Sequence, residues 1–228
     1  MSIIGIAVAL EIGPGRRVFA QALDWIGWCR AGKDEEAALH QLVIAGPRYA
    51  PVAARAGLPF TIPASFGAFE VVERVAGNAT TDFGAPAVLL PADQQPLTGA
   101  NIERLTSLLA ACWSTFDDVF LSIPAELRGN KPERGRSPDA MRLHLLEADL
   151  MHLSGLGPAY RKPDPARIPE QEAEVREQIL AALRAAIPDQ APVARRKSGY
   201  FWTPRFVARR SAWHALDHAW ELQGRLGK

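Results

Sequence analysis

The sequence predicts an α+β chain in two parts: a small domain of β-sheet plus helix over residues 1–97, then a four-helix bundle over residues 98–228. Three observations carry this reading. Large apolar and small residues alternate along residues 4–12. At Thr98 the pattern changes to long stretches with apolar residues every three or four positions. Four such stretches follow, separated by connectors rich in proline and charge.

Ile4, Ile6, Val8, Leu10 and Ile12 alternate with Gly5, Ala7, Ala9 and Glu11, the two-residue period of a strand with one strongly apolar face. Gly13-Pro14-Gly15-Arg16 then makes a turn, and residues 18–23 read as the hairpin partner. It is no phosphate loop, because it lacks the Lys-Ser/Thr ending and opens no helix. Asp34 starts a helix with Glu35 and Glu36 in its positive first turn, running to about residue 43 or 44. Residues 69–75 are a further strand. After Asn78 the chain reads as loop, with Pro86, Pro91 and Pro96 excluding a long helix.

In the second part, the first helix spans about 101–121, with Thr98 as its cap and Ile102, Leu105, Leu108, Leu109, Cys112 and Phe116 on one stripe. The second opens at Ser137-Pro138, a cap followed by proline at the first helical position, and ends before Gly155. Its stripe holds Met141, Leu145, Ala148 and Met151, with His144 beside it. The third covers about 170–187, carries Val175, Ile179, Ala182, Leu183 and Ala186, and is stopped by Pro188. The fourth opens at Thr203-Pro204 and runs to about 226. Four amphipathic helices joined by long links are what a bundle needs. The connectors 122–137, 155–169 and 188–202 are long enough to be candidate functional loops.

Composition narrows the function. A hydrophobic share of 48% with 22% charged residues excludes disorder of the whole chain, and a formal charge of +1 gives no overall field to attract nucleic acid or membrane. Two cysteines, Cys29 and Cys112, are too few for a disulfide framework or a thiolate zinc site, which fits a reducing cytoplasm. Cys112 lies on an apolar stripe as core. Cys29, beside Arg30, reads as a buried, inert thiol. The apolar N-terminal run is broken by Glu11 and falls far short of the roughly 20 residues of a membrane span. The expected partner is a small-molecule substrate, with no membrane and no nucleic acid, and the chain is open to a homodimer.

Chemistry concentrates in the last helix. His214 and His218 are four residues apart, so both imidazoles share one face, on a polar strip with Val207, Arg210, Ser211, Glu221 and Arg225 at the border of the apolar side. With His144 from another helix they make a candidate three-nitrogen metal site with open positions, suited to zinc, nickel, copper or iron over magnesium or calcium. Asp217 and Glu221 lie within one turn and are candidates to accept the second N–H of a ligand ring. Spacing alone equally allows two ordinary histidines with hydrogen-bonded partners. Ala215 after His214 excludes the H-E-x-x-H protease motif. His152 is offset by about 80° from His144 and points elsewhere on a straight helix, and His40 reads as a surface residue. Arg195, Arg196, Lys197, Tyr200, Trp202, Arg205, Arg209 and Arg210 form a basic and aromatic cluster. Arg205 and Arg210 are candidate anchors for an anionic substrate, against a plain solvated connector.

The stretch from Thr98 to the end resembles the DinB-like superfamily, which includes bacillithiol transferases and mycothiol-dependent maleylpyruvate isomerases. The resemblance rests on His144 in Arg-Leu-His-Leu-Leu and on Trp213-His-Ala-Leu-Asp-His-Ala-Trp220. It implies a four-helix bundle whose divalent metal is held by one histidine of the second helix and the H-x-x-x-H pair of a later one. Here these are His144, His214 and His218. In the first domain, residues 18–32 followed by Asp34-Glu-Glu-Ala-Ala-Leu39 look like the HicB-type antitoxin fold, whose strand ends in a D-x-x-G-C turn before an acidic helix start. Trp28 is inserted before Cys29, and the likeness concerns fold, not toxin binding.

Two classes of function follow. In the first, a three-histidine zinc, nickel or iron site activates a low-molecular-weight thiol in a thiol S-transferase or isomerase. In the second, the bundle is the scaffold of a non-catalytic binding or regulatory protein.

Overall fold

The alternation along residues 4–12 becomes a strand, β1 (Ile6–Ile12), whose neighbour β2 (Val18–Ala22) returns through the glycine-rich turn. A third strand, β3 (Cys29–Gly32), follows, where the sequence predicts none; four residues are too few to display a period. Helix α1 (Glu35–Arg55) then leads to β4 (Phe69–Ala76). In this computed structural model the described residues are 5–130, 132–133, 135–185 and 202–226, and residue 4 falls outside them. They are mixed α+β, with one four-stranded sheet and seven α-helices. The chain divides into two compact units, Met1–Gln95 and Pro96–Lys228.

In the first unit the strands lie in the order β3-β2-β1-β4, with β1–β2 and β2–β3 antiparallel and β4 parallel to β1. The crossover through α1 makes the parallel pairing possible. A bulge sets Val72 outside the register, since Val8 faces Val71 and the next residue, Ala9, faces Glu73. Plain alternation would keep Arg74 with Glu70 and Val72. Instead the bulge moves it to the other face, where it pairs with Glu35 at the start of α1, 3.1 Å away.

Helix α1 runs about eleven residues beyond its expected end, through Pro47 and Pro51. The apolar stripe of Leu42, Ala45, Tyr49, Val52 and Ala53 continues without interruption, while both prolines are exposed, so water can satisfy the carbonyls they leave free. Beneath the stripe lies Trp28. It is fully buried, donates to the Leu42 carbonyl at 2.9 Å, stacks on Tyr49 and meets Phe60 and Phe69 edge-on. Asp34 caps the helix by accepting from the Ala37 amide.

Glu11 is also fully buried, and its carboxylate accepts from the Thr81 hydroxyl at 2.6 Å, the Ala87 amide at 2.8 Å and the Gln21 side chain at 3.3 Å. Thr81 sits on a short helix, α2 (Ala79–Phe83), capped by Asn78, where the sequence predicts only loop. Five residues are too few for a helical period, but the Asn78 cap is legible in retrospect.

The second unit holds α3 (Gly99–Ser122), a short α4 (Ala125–Arg128), α5 (Pro138–Gly155), α6 (Ile168–Arg184) and α7 (Pro204–Leu226). Helix α3 packs on α6 and α7, α5 on α6 and α7, and α6 on α7. Thr98 and Ser137 cap as expected, accepting from the Asn101 and Ala140 amides. The core combines Leu108, Leu109 and Phe116 with Met141, Leu146 and Ile179, while Ala208, Ala212, Ala215 and Ala219 give α7 a face on which α3 can approach closely. Met151 departs from its expected core position and is 49% exposed. The last expected residues of α6, 186 and 187, lie outside the described residues. Ion pairs cross between helices: Arg142 with Glu172, Nε–Oε1 2.9 Å, and Arg176 with Asp117 through two bonds of 2.6 and 3.0 Å. Among the described residues no helix is long and apolar enough to cross a membrane.

Candidate metal centre

Helix α5 begins where Ser137 caps and Pro138 fixes the first turn, which places His144 two turns in. Helix α7 begins with Thr203 accepting from the Phe206 amide, and its buried Ala215, Leu216, Ala219 and Trp220 hold it so that His214 and His218 face α5. The three half-buried imidazoles converge through the same atom. His214 Nε2 lies 3.1 Å from His144 Nε2 and 3.1 Å from His218 Nε2.

Hydrogen bonding cannot account for both contacts. An imidazole nitrogen has either one lone pair or one hydrogen in its ring plane, so His214 Nε2 can make one linear bond and not two. A shared cation resolves the conflict by taking a lone pair from each ring. Two nitrogens about 2.0–2.1 Å from one tetrahedral ion stand roughly 3.3 Å apart, close to the observed spacing. His144, His214 and His218 are thus near enough to bind one metal ion.

The surroundings keep His144 and His214 neutral. Burial pushes the His214 imidazole well below its ordinary pKa of 6.5, with His218 and His144 adding to the effect. His144 is lowered to about 4, by burial first and then by the charge of Arg136. Neutral imidazole is the form that ligates. Glu221 Oε2 accepts from His218 Nδ1 at 3.0 Å, and that bond fixes the proton on Nδ1 and turns the Nε2 lone pair toward the other two rings. Asp217 is half-buried on α7 within one turn of both rings.

Of the two expected anchors, Arg210 stands over the Trp213 ring at 5.1 Å, and Trp213 runs parallel to the His214 imidazole. Its charge also contributes to lowering His214. Arg205 is nine residues before His214, about 13 Å along the axis, and its Nε is buried with no hydrogen-bond partner among the described residues. It lies away from the three rings. Arg195, Arg196, Lys197 and Tyr200 lie outside the described residues.

His152 is separate from the metal cluster. It is buried, its Nδ1 is 2.8 Å from Ser211 Oγ on α7, and Asp149 Oδ1 lies 3.6 Å from the same nitrogen. With serine and carboxylate at one ring nitrogen and the serine itself buried, this is a structural tie between α5 and α7 rather than a nucleophile relay. His40 is exposed on α1. Cys29 and Cys112 are both buried, and burial pushes the Cys112 thiol far up.

Arg136, and a role for Arg225 beyond its place on the polar strip, went unread in the sequence. Arg225 bonds Glu221 and, at 2.7 Å, donates to the Arg136 carbonyl. The Glu221–Arg225 spacing of four residues was a legible signal for that pair. No known protein family, no characterised protein and no solved structure significantly matches the chain.

Proposed function

We propose that this chain is a metal-dependent protein of the DinB-like kind, a thiol S-transferase or isomerase in which His144, His214 and His218 hold a divalent zinc, nickel or iron ion. One observation carries the metal: His214 Nε2 lies 3.1 Å from the Nε2 atoms of both His144 and His218, two contacts that hydrogen bonds cannot jointly satisfy. The thiol chemistry rests on the resemblance of residues 98–228 to that superfamily and on the open positions a three-nitrogen set leaves.

When bound, such a cation supplies Lewis acidity, lowering the pKa of a coordinated low-molecular-weight thiol so that its sulfur is nucleophilic near neutral pH. The chain's own residues prepare for this. His144 and His214, neutral at pH 7, need release no proton to ligate. Glu221 fixes the tautomer of His218. Arg210, placed over Trp213 on the same helix as His214 and His218, is the side chain that would meet a carboxylate of the thiol or of its electrophilic partner.

The test is metal content at stoichiometric precision, then turnover of a chromogenic electrophile with a panel of low-molecular-weight thiols. The reading expects about one transition metal per chain and thiol-dependent turnover. A chain that neither carries nor takes up metal overturns it; a metal-replete chain inert toward every thiol leaves the metal centre and removes the transferase.

A further inference from the structure

Resting on the metal reading above, we propose that Arg225 and Gly135 form an outer clamp that positions His218 and ties the two ligand-bearing helices together at the metal. The chain of contacts runs from the ring outward. His218 Nδ1–H donates to Glu221 Oε2, and the other oxygen of that carboxylate, Oε1, receives Arg225 Nη2. The second arm of the guanidinium, Nη1, donates to the backbone carbonyl of Arg136 at 2.7 Å. Arg136 immediately precedes Ser137, the cap from which α5 carries His144. One planar fork thus joins the helix of His214 and His218 to the start of the helix of His144.

Gly135 makes room for the fork. Its φ of +90° is readily adopted only by glycine, and a Cβ there would stand 2.6 Å from Arg225 Nη2 and 3.3 Å from Glu221 Oε1. A side chain at 135 therefore presses on the two atoms that meet in the clamp. Arginine suits the position because its donors are fixed in one plane and reach two acceptors at once; a lysine ammonium can pair with Glu221 but not hold both.

The clamp is too exposed to matter much to folding. The side chains of Glu221 and Arg225 keep 39% and 28% exposure, where an ion pair adds little stability. His218 keeps only 11%, so the clamp's influence falls on the inner ring. Positioning of this kind is read in metal affinity, where loss of a partner behind a ligating histidine typically weakens binding roughly 10–100-fold.

The experiment compares the full chain with Arg225→Met, Arg225→Lys and Gly135→Ala. Zinc affinity is measured by competition with a chromogenic chelator, the Co2+ ligand-field spectrum is recorded, and each metal-free variant is melted. Expected are affinity losses of roughly 10–100-fold for Arg225→Met and Gly135→Ala, a smaller loss for Arg225→Lys, and metal-free melting close to the parent for both Arg225 variants, with Gly135→Ala melting somewhat lower because of its positive φ. Parental affinity and spectrum in both Arg225→Met and Gly135→Ala overturn the clamp and leave the metal centre standing. Failure of the parent chain itself to bind zinc or cobalt overturns the metal reading and the clamp with it.

Discussion

Acid should unfold the metal-free chain through its histidines, and His144 gives the size of the effect. Its folded pKa is about 4 against 6.5 in an unfolded chain. Below pH 6.5 the unfolded state takes up a proton that the folded state refuses, so stability present at neutral pH is lost as pH falls from about 6.5 toward 4. At 1.36 kcal/mol per pKa unit the full loss is about 3 kcal/mol, of which about 2 kcal/mol has gone by pH 5. Solvent screening at the half-buried ring brings the working value to about 1–2 kcal/mol. His214 and His152 are lowered by the same cause, burial, and add in the same direction. The assay is urea unfolding in the presence of a chelator at about pH 7 and about pH 5, on the parent and on His144→Gln, which cannot titrate there. The parent should lose more stability than the variant, the gap between the two losses being about 1–2 kcal/mol. Equal losses in the two chains would show that His144 is not held neutral by its surroundings, and the argument from burial would fail.

Three further outcomes are expected. His214→Ala removes the central nitrogen of the cluster and should abolish stoichiometric metal in elemental analysis while leaving helicity by circular dichroism intact; retained metal would place the site elsewhere. Glu11→Ala leaves the Thr81 hydroxyl and the Ala87 amide without their acceptor, and should destabilise the first unit by about 3 kcal/mol in urea titrations. Asp117→Ala strips the counter-charge from Arg176, whose side chain is only 17% exposed, and should cost about 3 kcal/mol, whereas Glu177→Ala, facing the exposed Arg184, should cost under about 1 kcal/mol. Equal melting of the last two variants would refute the distinction between sheltered and solvated pairs.

The sequence made visible what depends on short-range chemistry. Thr98, Ser137 and Thr203 mark helix starts because a side-chain oxygen one position before a helix has a local job, and each of the three performs it. The histidine pair was legible for the same reason, since a separation of four fixes a shared face. What stayed hidden was set by tertiary packing. Pro47 and Pro51 argue for an early end to α1 until one knows that both face water while the apolar stripe carries on. The bulge at Val72 leaves no mark in the letters, yet it decides which side Arg74 occupies. The helical angle alone sets His152 apart from His144; its bond to Ser211 depends on how α5 meets α7. The convergence of His144 on the pair is likewise a property of helix packing, for which spacing offers no rule.

The displaced residue in β4 also bears on how the molecule behaves toward copies of itself. A strand of eight residues at the border of a sheet is the kind of edge on which a foreign strand could dock, the usual seed of ordered aggregates. With Val72 bulged outward and charged Glu70 and Arg74 exposed on either side, an arriving strand meets a kinked ladder and charged side chains to desolvate. The irregularity that aims one arginine at α1 thus also guards the border of the sheet against unwanted extension.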